Sequence, residues 1–101
     1  MRTTHALVQL AAALMKHPND RHWGYRLSRE SGVRSGAMYP RLSTMLNEGW
    51  LTDGWETTEE AGGRPPRRYY RLTEDGLREL GAVLARAEQD DRFRNLNLGF
   101  T

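Results

Sequence analysis

The spacing of hydrophobic residues in the first half of the chain predicts helices separated by proline and glycine. Thr3 or Thr4 can cap the first helix, and Pro18 prevents it from continuing. Its apolar residues recur three and four positions apart, which is typical of one buried helical face. They are Leu7, Leu10, Ala11, Leu14 and Met15.

The next two helices are predicted to form a tight pair. The second covers about residues 23–31 and ends at Gly32, which suits the left-handed cap position. Ser35 caps the third helix, which continues to about residue 48 and stops at Gly49. The core face of this third helix is formed by Met38, Leu42, Met45 and Leu46.

The second half of the chain predicts two strands and a further helix. The strands cover about residues 51–59 and 67–72 and contain the aromatic residues that strands favour. Their expected core residues are Trp55, Tyr70 and Leu72. Thr73 then opens a helix that runs to about residue 91. Its apolar stripe consists of Leu77, Leu80, Leu84 and Ala87.

This order of elements predicts a mainly α fold with a small β-hairpin, a winged helix-turn-helix followed by a C-terminal helix. Residues 1–72 would form the DNA-binding domain, with residues 35–48 as recognition helix and residues 51–72 as wing. Residues 73–101 would supply a dimerisation helix and a short tail. In that tail, polar or small residues alternate with Leu96, Leu98 and Phe100.

Length and composition narrow the possible classes of protein. A chain of 101 residues has room for one small domain, and many such domains complete their core by dimerising. The lack of cysteine excludes disulfides, thiolate metal sites and cysteine nucleophiles. No apolar run is long enough to span a membrane, and Gln9 interrupts the only candidate signal peptide. We therefore expect a cytoplasmic protein that does not contact membranes.

The charge is distributed unevenly, although the formal net charge is only +2. Basic residues concentrate in 21–41 and 64–71, and acidic residues in 48–60 and 74–91. All basic residues except Lys16 are arginine, which suits bidentate contacts to phosphate and guanine. A GC-rich genome would produce the same preference, so the bias alone does not identify a nucleic-acid partner.

The most informative segment is the hairpin turn and the strand after it, residues 62–73, with four arginines and no acidic residue. The glycine and proline turn would hold Arg64 at the tip, where a guanidinium can enter the negative minor groove. The other three arginines are expected to contact phosphates or to pair with Glu59 and Glu60. They are Arg67, Arg68 and Arg71. An ordinary solvated hairpin is the alternative.

The face of the third helix opposite its core residues carries small side chains, which would let the helix enter the major groove. They are Gly36, Ala37, Pro40, Ser43 and Thr44. Tyr39 could donate its hydroxyl to a phosphate, and Ser35 with the helix N-terminus could bind another. Arg34 and Arg41 are further candidate contacts. The alternatives are a core-edge position for Tyr39 and solvated charges for the two arginines.

Several short motifs together resemble the PadR-like family of transcriptional regulators, in matching order and spacing from about residue 23 to 80. They are Gly24-Tyr25, Met38-Tyr39-Pro40-Arg41-Leu42, Glu48-Gly49-Trp50-Leu51, Gly63-Arg64-Pro65, Tyr69-Tyr70-Arg71-Leu72-Thr73 and Gly76. The resemblance implies a dimeric DNA-binding repressor whose interface is formed by the C-terminal helix with help from the first. We assign that interface to Leu7, Leu77, Leu80, Leu84 and Ala87.

This sequence departs from the family pattern in two places. Trp50 stands where the family usually has a smaller aliphatic residue. The C-terminal part is also short and allows one dimerisation helix, which puts a ligand pocket between subunits in doubt.

The residue pattern argues against metal binding and catalysis. His5 and His17 are twelve positions apart, so roughly 18 Å of helix separates them and they cannot share an ion within one chain. No activated nucleophile, paired carboxylates or phosphate-cradling loop is present. We therefore predict no metal site, no cofactor and no enzymatic activity.

The leading hypothesis is a homodimeric, sequence-specific transcriptional repressor that binds an inverted repeat in double-stranded DNA. The first alternative is a ligand sensor with an aromatic pocket lined by Trp23, Trp50 and Trp55. An architectural or mobile-element protein that binds DNA with little sequence choice is the second. The third is a winged helix that binds protein rather than DNA. The sequence gives neither the operator nor the identity of any small-molecule effector.

Overall fold

The structure is a computed structural model that describes residues 1–96. Its helices are α1 (His5–Lys16), α2 (Gly24–Ser31), α3 (Ser35–Asn47), α4 (Thr58–Ala61) and α5 (Glu74–Glu88). Its strands are β1 (His22–Trp23), β2 (Leu51–Trp55) and β3 (Arg68–Leu72), and a 3₁₀ turn follows at Asp91–Phe93. This mainly helical architecture with a small antiparallel sheet confirms the predicted fold class. Leu98 and Phe100 of the predicted tail lie outside the described residues.

The core lies where α1, α2, α3 and α5 meet the inner face of the sheet. α1 packs against α5 and α2, and α3 packs against α2 and β2. The predicted core faces of α1 and α3 are confirmed, since these residues are buried: Leu7, Leu10, Ala11, Leu14, Met38, Leu42 and Met45. Each fully buried leucine or methionine contributes about 1.5–3 kcal/mol relative to an exposed one. Met15 and Leu46 are partly buried at the edge of the same cluster.

The sheet has β3 in the centre, antiparallel to β1 on one side and to β2 on the other. The sequence predicted no strand before α2. His22 and Trp23 form β1 because they pair with Tyr70 and Tyr69 of β3. A strand of two residues has no alternating pattern of its own, so only the pairing with β3 reveals it.

Most helix ends agree with the sequence prediction, but α5 ends at Glu88 rather than near residue 91, and the cap of α3 differs. Thr4 caps α1 by accepting a hydrogen bond from the Leu7 amide at 3.2 Å. Gly32 follows α2 with a φ of 74°, the left-handed conformation predicted for it. Ser35, however, is the first helical residue of α3 rather than its cap. The chain is still extended at Arg34, which occupies the N-cap without a side-chain hydrogen bond.

The wing contains a helical turn where a continuous strand was predicted. β2 ends at Trp55, and Thr57 then forms a capping box with Glu60 at the start of α4. The Thr57 hydroxyl accepts from the Glu60 amide at 3.1 Å, and the Glu60 carboxylate accepts from the Thr57 amide at 3.0 Å. These reciprocal bonds favour a helical turn over a strand.

The three predicted core residues of the hairpin have different environments. Tyr70 is buried, as predicted, and Leu72 is partly buried. Trp55 was expected in the core, but it is 63% exposed. Trp55 is the last residue of β2, at the opposite end of the strand from the buried Leu51. The sheet has left the helical core before it reaches Trp55.

α5 starts in close contact with the segment that joins α3 to β2. The Thr73 amide donates to the Trp50 carbonyl at 3.1 Å, and the first turn of α5 lies over the same peptide. Gly76 is buried there, and a Cβ atom at this position would overlap the Trp50 carbonyl oxygen. Only glycine lets α5 approach the backbone so closely.

We expect Gly76→Ala to lower the free energy of unfolding by roughly 1–3 kcal/mol, because the added methyl group overpacks the contact with Trp50. Gly81→Ala on the same helix is the matched control. Its new methyl group would meet only the Met15 Cε atom, at 3.8 Å. Replacing glycine by alanine also stabilises the helix itself, by about 1 kcal/mol at most, so Gly81→Ala should not lower the free energy of unfolding. Urea titrations of both variants test this, and an unchanged midpoint for Gly76→Ala would contradict it.

Candidate nucleic-acid interface

The outer face of α3 is open to solvent because Met38, Leu42 and Met45 hold the opposite face in the core. The structure brings together on this exposed surface Arg34, Ser35, Gly36, Tyr39, Pro40, Ser43 and Thr44. Ala37 and Arg41 are partly buried at its edge. The predicted recognition residues therefore share one exposed helical surface.

Two side chains of this surface hydrogen-bond to the backbone of α3. The Arg41 guanidinium donates to the Ala37 carbonyl at 2.8 Å, and the Thr44 hydroxyl donates to the Pro40 carbonyl at 3.1 Å. The Thr44 oxygen keeps its lone pairs for an external donor. The Arg41 guanidinium keeps further N–H groups for a ligand, but its hydrogen bond to the Ala37 carbonyl holds it against the helix.

Tyr39 is held against the start of α2. Its side chain is in contact with Gly24, and a Cβ atom on Gly24 would overlap the Tyr39 hydroxyl. Tyr39 nevertheless remains 45% exposed. It is therefore a half-exposed aromatic residue with its hydroxyl close to the first turn of α2. The contact explains the glycine of the Gly24-Tyr25 motif, since a residue without a side chain leaves space for the Tyr39 ring.

An open cleft of about 360 Å³ lies between α2, α3 and β3. Its lining consists of Gly24, Tyr25, Tyr39, Arg67, Arg68 and Tyr70. The Arg67 guanidinium lies 5.1 Å from the Tyr25 ring centre, and the Arg68 guanidinium lies 5.1 Å from that of Tyr70. Tyr25 is 49% exposed and was not among the predicted contacts, although it belongs to a motif that the sequence analysis noted. Guanidinium and phenol groups around an open cleft can donate hydrogen bonds to an anion.

Arg68 is paired with Asp53 on the neighbouring strand. Its Nε and Nη2 atoms donate to the Asp53 Oδ2 atom at 2.8 and 2.6 Å. The hydrogen bonds from Arg68 to Asp53 raise the pKa of the guanidinium, so it is fully charged. The pair fixes the side chain beside the cleft, while the remaining N–H groups stay available to a ligand.

Arg64 forms a bidentate ion pair with Glu56 at the base of the wing loop. Its Nη1 and Nη2 atoms donate to the two Glu56 carboxylate oxygens at 2.5 and 2.8 Å. The Arg67 amide donates to the same carboxylate at 2.8 Å, and the Glu56 side chain is only 8% exposed. The hydrogen bonds from Arg64 lower the pKa of Glu56 to about 2, well below the 4.5 of a free glutamate. The stability that the pair contributes is therefore fully present above about pH 4.5 and is lost as the pH falls towards 2, where Glu56 becomes protonated in the folded chain.

Of the two expectations for the other wing arginines, pairing with Glu59 and Glu60 is wrong, and contact with phosphates stays a prediction. Arg67 and Arg68 have the partners described above, and Arg71 donates to the Asn19 carbonyl at 3.4 Å. Glu60 instead pairs with Arg21, which also lies 4.3 Å from the Tyr69 ring centre. The helical turn of α4 redirects this segment, so proximity in sequence did not indicate the ion pairs.

The residues assigned to dimerisation divide into two groups. Leu7, Leu80 and Ala87 are buried within one chain, because α5 packs along α1. Leu77 and Leu84 remain partly exposed. Of the five assigned residues, these two offer the surface that a second chain could contact.

The histidines have structural contacts. His22 is buried and its Nε2 atom lies 2.9 Å from the His17 carbonyl, while burial lowers its pKa and favours the neutral ring. His5 Nε2 lies 2.8 Å from the Arg92 carbonyl. Within residues 1–96, no group of three potential ligands could hold a metal ion. In the same part of the chain, no helix is long and apolar enough to cross a membrane.

Comparison with solved structures gives the same fold. A PadR family transcriptional regulator from Eggerthella lenta DSM 2243 is 28% identical, with a TM-score of 0.62 over 79% of this chain and 72% of that one. PadR-type regulators from Clostridium difficile R20291 and Bacillus cereus ATCC 14579 are each 22% identical, with TM-scores of 0.63 and 0.61. The match to the Clostridium difficile structure covers 89% of this chain and 90% of that one, and the match to the Bacillus cereus structure covers 91% and 93%. The two at 22% identity support the fold alone.

Sequence comparison identifies the family. A search of curated proteins gave no match. Residues 14–82, more than half of the chain, match the family model described as "Transcriptional regulator PadR-like family". The chain therefore belongs to the PadR-like family of transcriptional regulators, which confirms the expectation that it is not an enzyme.

Proposed function

We propose that this protein is a homodimeric transcriptional repressor that binds an inverted repeat in duplex DNA. The observation that carries the proposal is the exposed face of α3 beside a cleft lined by two arginines and three tyrosines. Family membership and the printed titles of the similar structures support the same class of function. Such a regulator would act in the cytoplasm and would need no cofactor.

α3 is the proposed recognition helix. Gly36, Pro40 and Ser43 on its exposed face are small, so the helix axis can approach the floor of the major groove. The Ser43 and Thr44 hydroxyls are the candidate base contacts. Hydroxyl groups discriminate less well among bases than a bidentate amide or guanidinium, so the shape of the DNA would contribute much of the specificity.

The cleft beside α3 is proposed to bind one backbone phosphate. Arg67 and Arg68 supply positive charge, and the hydroxyls of Tyr25 and Tyr39 supply further donors. Charge-assisted hydrogen bonds of this kind are stronger than neutral ones. A phosphate held there would fix the register of α3 in the groove. Ser35, Arg34 and Arg41 are proposed to contact phosphates nearer the helix start.

Arg64 is proposed to position the wing. The sequence predicted that Arg64 would enter the minor groove, but its guanidinium is engaged by Glu56 within the chain. The same carboxylate also binds the Arg67 amide, which links the wing tip to the start of β3. The pair therefore orders the loop from which Arg67 and Arg68 face the cleft.

The dimer is proposed to form through α5 with help from α1. Leu77 and Leu84 are the partly exposed members of the apolar stripe of α5. An inverted repeat requires a two-fold dimer, since two equal half-sites must meet two equal recognition helices. Covering these leucines would also complete the small core of each chain.

An architectural DNA-binding function is the second candidate. The observation in its favour is the exposed centre of α3, which offers hydroxyls but no asparagine, glutamine or arginine. Such a face can bind DNA without strong preference among bases. The next experiment separates this candidate from the operator-binding repressor.

Selection of bound duplexes from a random pool should enrich an inverted repeat whose half-site centres lie about one or two helical turns apart. The selected duplex should then be compared with unrelated DNA over a range of salt concentrations. We expect tighter binding to the selected duplex at every salt concentration. An unenriched pool, or equal affinity for all duplexes, would favour the architectural candidate and reject the operator-binding one.

Arg64→Ala and Glu56→Ala should each weaken binding to the selected duplex by roughly tenfold, since either change releases the wing loop. The double variant should be little worse than either single variant, because both remove the same pair. The salt dependence should change little, because Arg64 is already neutralised by Glu56. If Arg64 contacts DNA directly, Glu56→Ala will instead preserve or raise affinity, and only Arg64→Ala will lower the salt slope by about one.

Leu84→Asp should convert the dimer to folded monomers and weaken dimerisation by roughly a hundredfold or more, because it would bury an unpaired charge at the interface. Ala85→Asp adds the same charge at the next, exposed position of α5 and should leave the dimer intact. Sedimentation velocity gives the mass, and circular dichroism checks that each variant is folded. A folded dimer of Leu84→Asp would place the interface elsewhere.

A further inference from the structure

Trp55 carries more exposed surface than a tryptophan normally has in a folded domain. At 63% it is the most exposed of the large hydrophobic side chains in the described part of the chain. An indole presents a large apolar surface and one N–H donor, and it is usually at least half covered. Such an exposed side chain at the end of a strand is a candidate contact for a partner.

The strand register places Trp55 on a definite face of the sheet. It is paired with Arg68, and Asp53 on the same strand is paired with Tyr70. Paired residues and alternate residues of a strand share one face, so this row includes the buried Tyr70. Trp55 therefore continues the inner row of the sheet beyond the edge of the core. Thr52 belongs to the opposite face.

The position next to Arg68 brings Trp55 to the wing end of the cleft beside α3. Arg68 lines this cleft together with Arg67 and Tyr39. An apolar surface beside the Arg67 guanidinium and the N–H groups of Arg68 that Asp53 leaves free matches the backbone of DNA, in which apolar deoxyribose faces alternate with phosphates. Charge complementarity thus favours nucleic acid over an apolar protein partner for this surface.

We propose that the Trp55 indole packs against a deoxyribose of the DNA strand whose phosphate occupies the cleft. The contact would extend the interface from α3 onto the wing and would depend on apolar packing rather than charge. This inference rests on the proposed function, because it requires a duplex bound at the same cleft. It adds a wing contact that the sequence assigned to the core.

The test compares four variants of the full chain on the selected duplex. Trp55→Ala should weaken binding roughly five- to tenfold without changing the salt slope, because no counterion is displaced by an apolar contact. Trp55→Phe should lose less affinity for the duplex than Trp55→Ala. Arg67→Ala should weaken binding and lower the salt slope by about one. Thr52→Ala, on the opposite face of β2, should bind like the wild type.

Tryptophan fluorescence supplies an independent readout. DNA binding should change the emission of the wild-type protein, and most of that change should be absent in Trp55→Phe. The thermal midpoints of Trp55→Phe and wild type should agree, since the indole is mostly exposed. If Trp55→Ala fails to fold, the phenylalanine variant and the fluorescence change still decide the question.

Several results would overturn the inference. The inference is rejected if Trp55→Ala binds the duplex with wild-type affinity, or if Trp55→Phe shows an unaltered fluorescence response. It is also rejected if the loss of affinity in Trp55→Ala is confined to single-stranded DNA. Dissociation of the dimer by Trp55→Ala would show that a second copy covers the indole instead. A wild-type protein that binds no duplex would reject the proposed function itself, and this inference with it.

Discussion

The burial of Met38, Leu42 and Met45 determines how α3 is presented to a partner. All three are fully buried, and each contributes about 1.5–3 kcal/mol through burial. A rotation of α3 by one residue, about 100°, would bring these side chains into water and polar ones into the core. The outward orientation of Ser43 and the half-exposed position of Tyr39 are consequences of this packing. The candidate recognition surface is thus set by the energetics of the core beneath it.

The wing depends on a different physical interaction, the pairing of arginines with acidic residues of the same hairpin. Arg64 is bound by Glu56 and Arg68 by Asp53, whereas Arg67 lies over the Tyr25 ring. The pairs reduce the positive charge that the wing presents at long range. They also hold the loop in one shape, so the loop would lose less conformational entropy on binding. The uneven charge distribution of the sequence therefore reflects ion pairs that order the wing loop more than a surface that attracts a ligand at long range.

The packing of α5 on α1 limits how the protein can assemble. Leu7 and Leu80 are buried in a single chain, so much of the apolar stripe that suggested a dimer already stabilises the monomer. Leu77 and Leu84 remain partly exposed along α5. The contact between Gly76 and the Trp50 peptide fixes where α5 begins and so which of its residues face outward. The position of α5 is therefore tied to the segment that joins α3 to β2.

The sequence by itself determined the four longer helices, a threonine cap at Thr3 or Thr4, the turn at Gly32 and the family. These features depend on side-chain spacing and on hydrogen bonds within a few residues, which a sequence displays directly. Only the tertiary structure decided that Trp55 is exposed, that Arg64 binds Glu56 and that β1 exists. Each of these depends on strand register or on a partner distant in sequence. The hydrophobic pattern sets register only together with the geometry of the turn, and the helical turn of α4 within the wing was not predicted from the sequence.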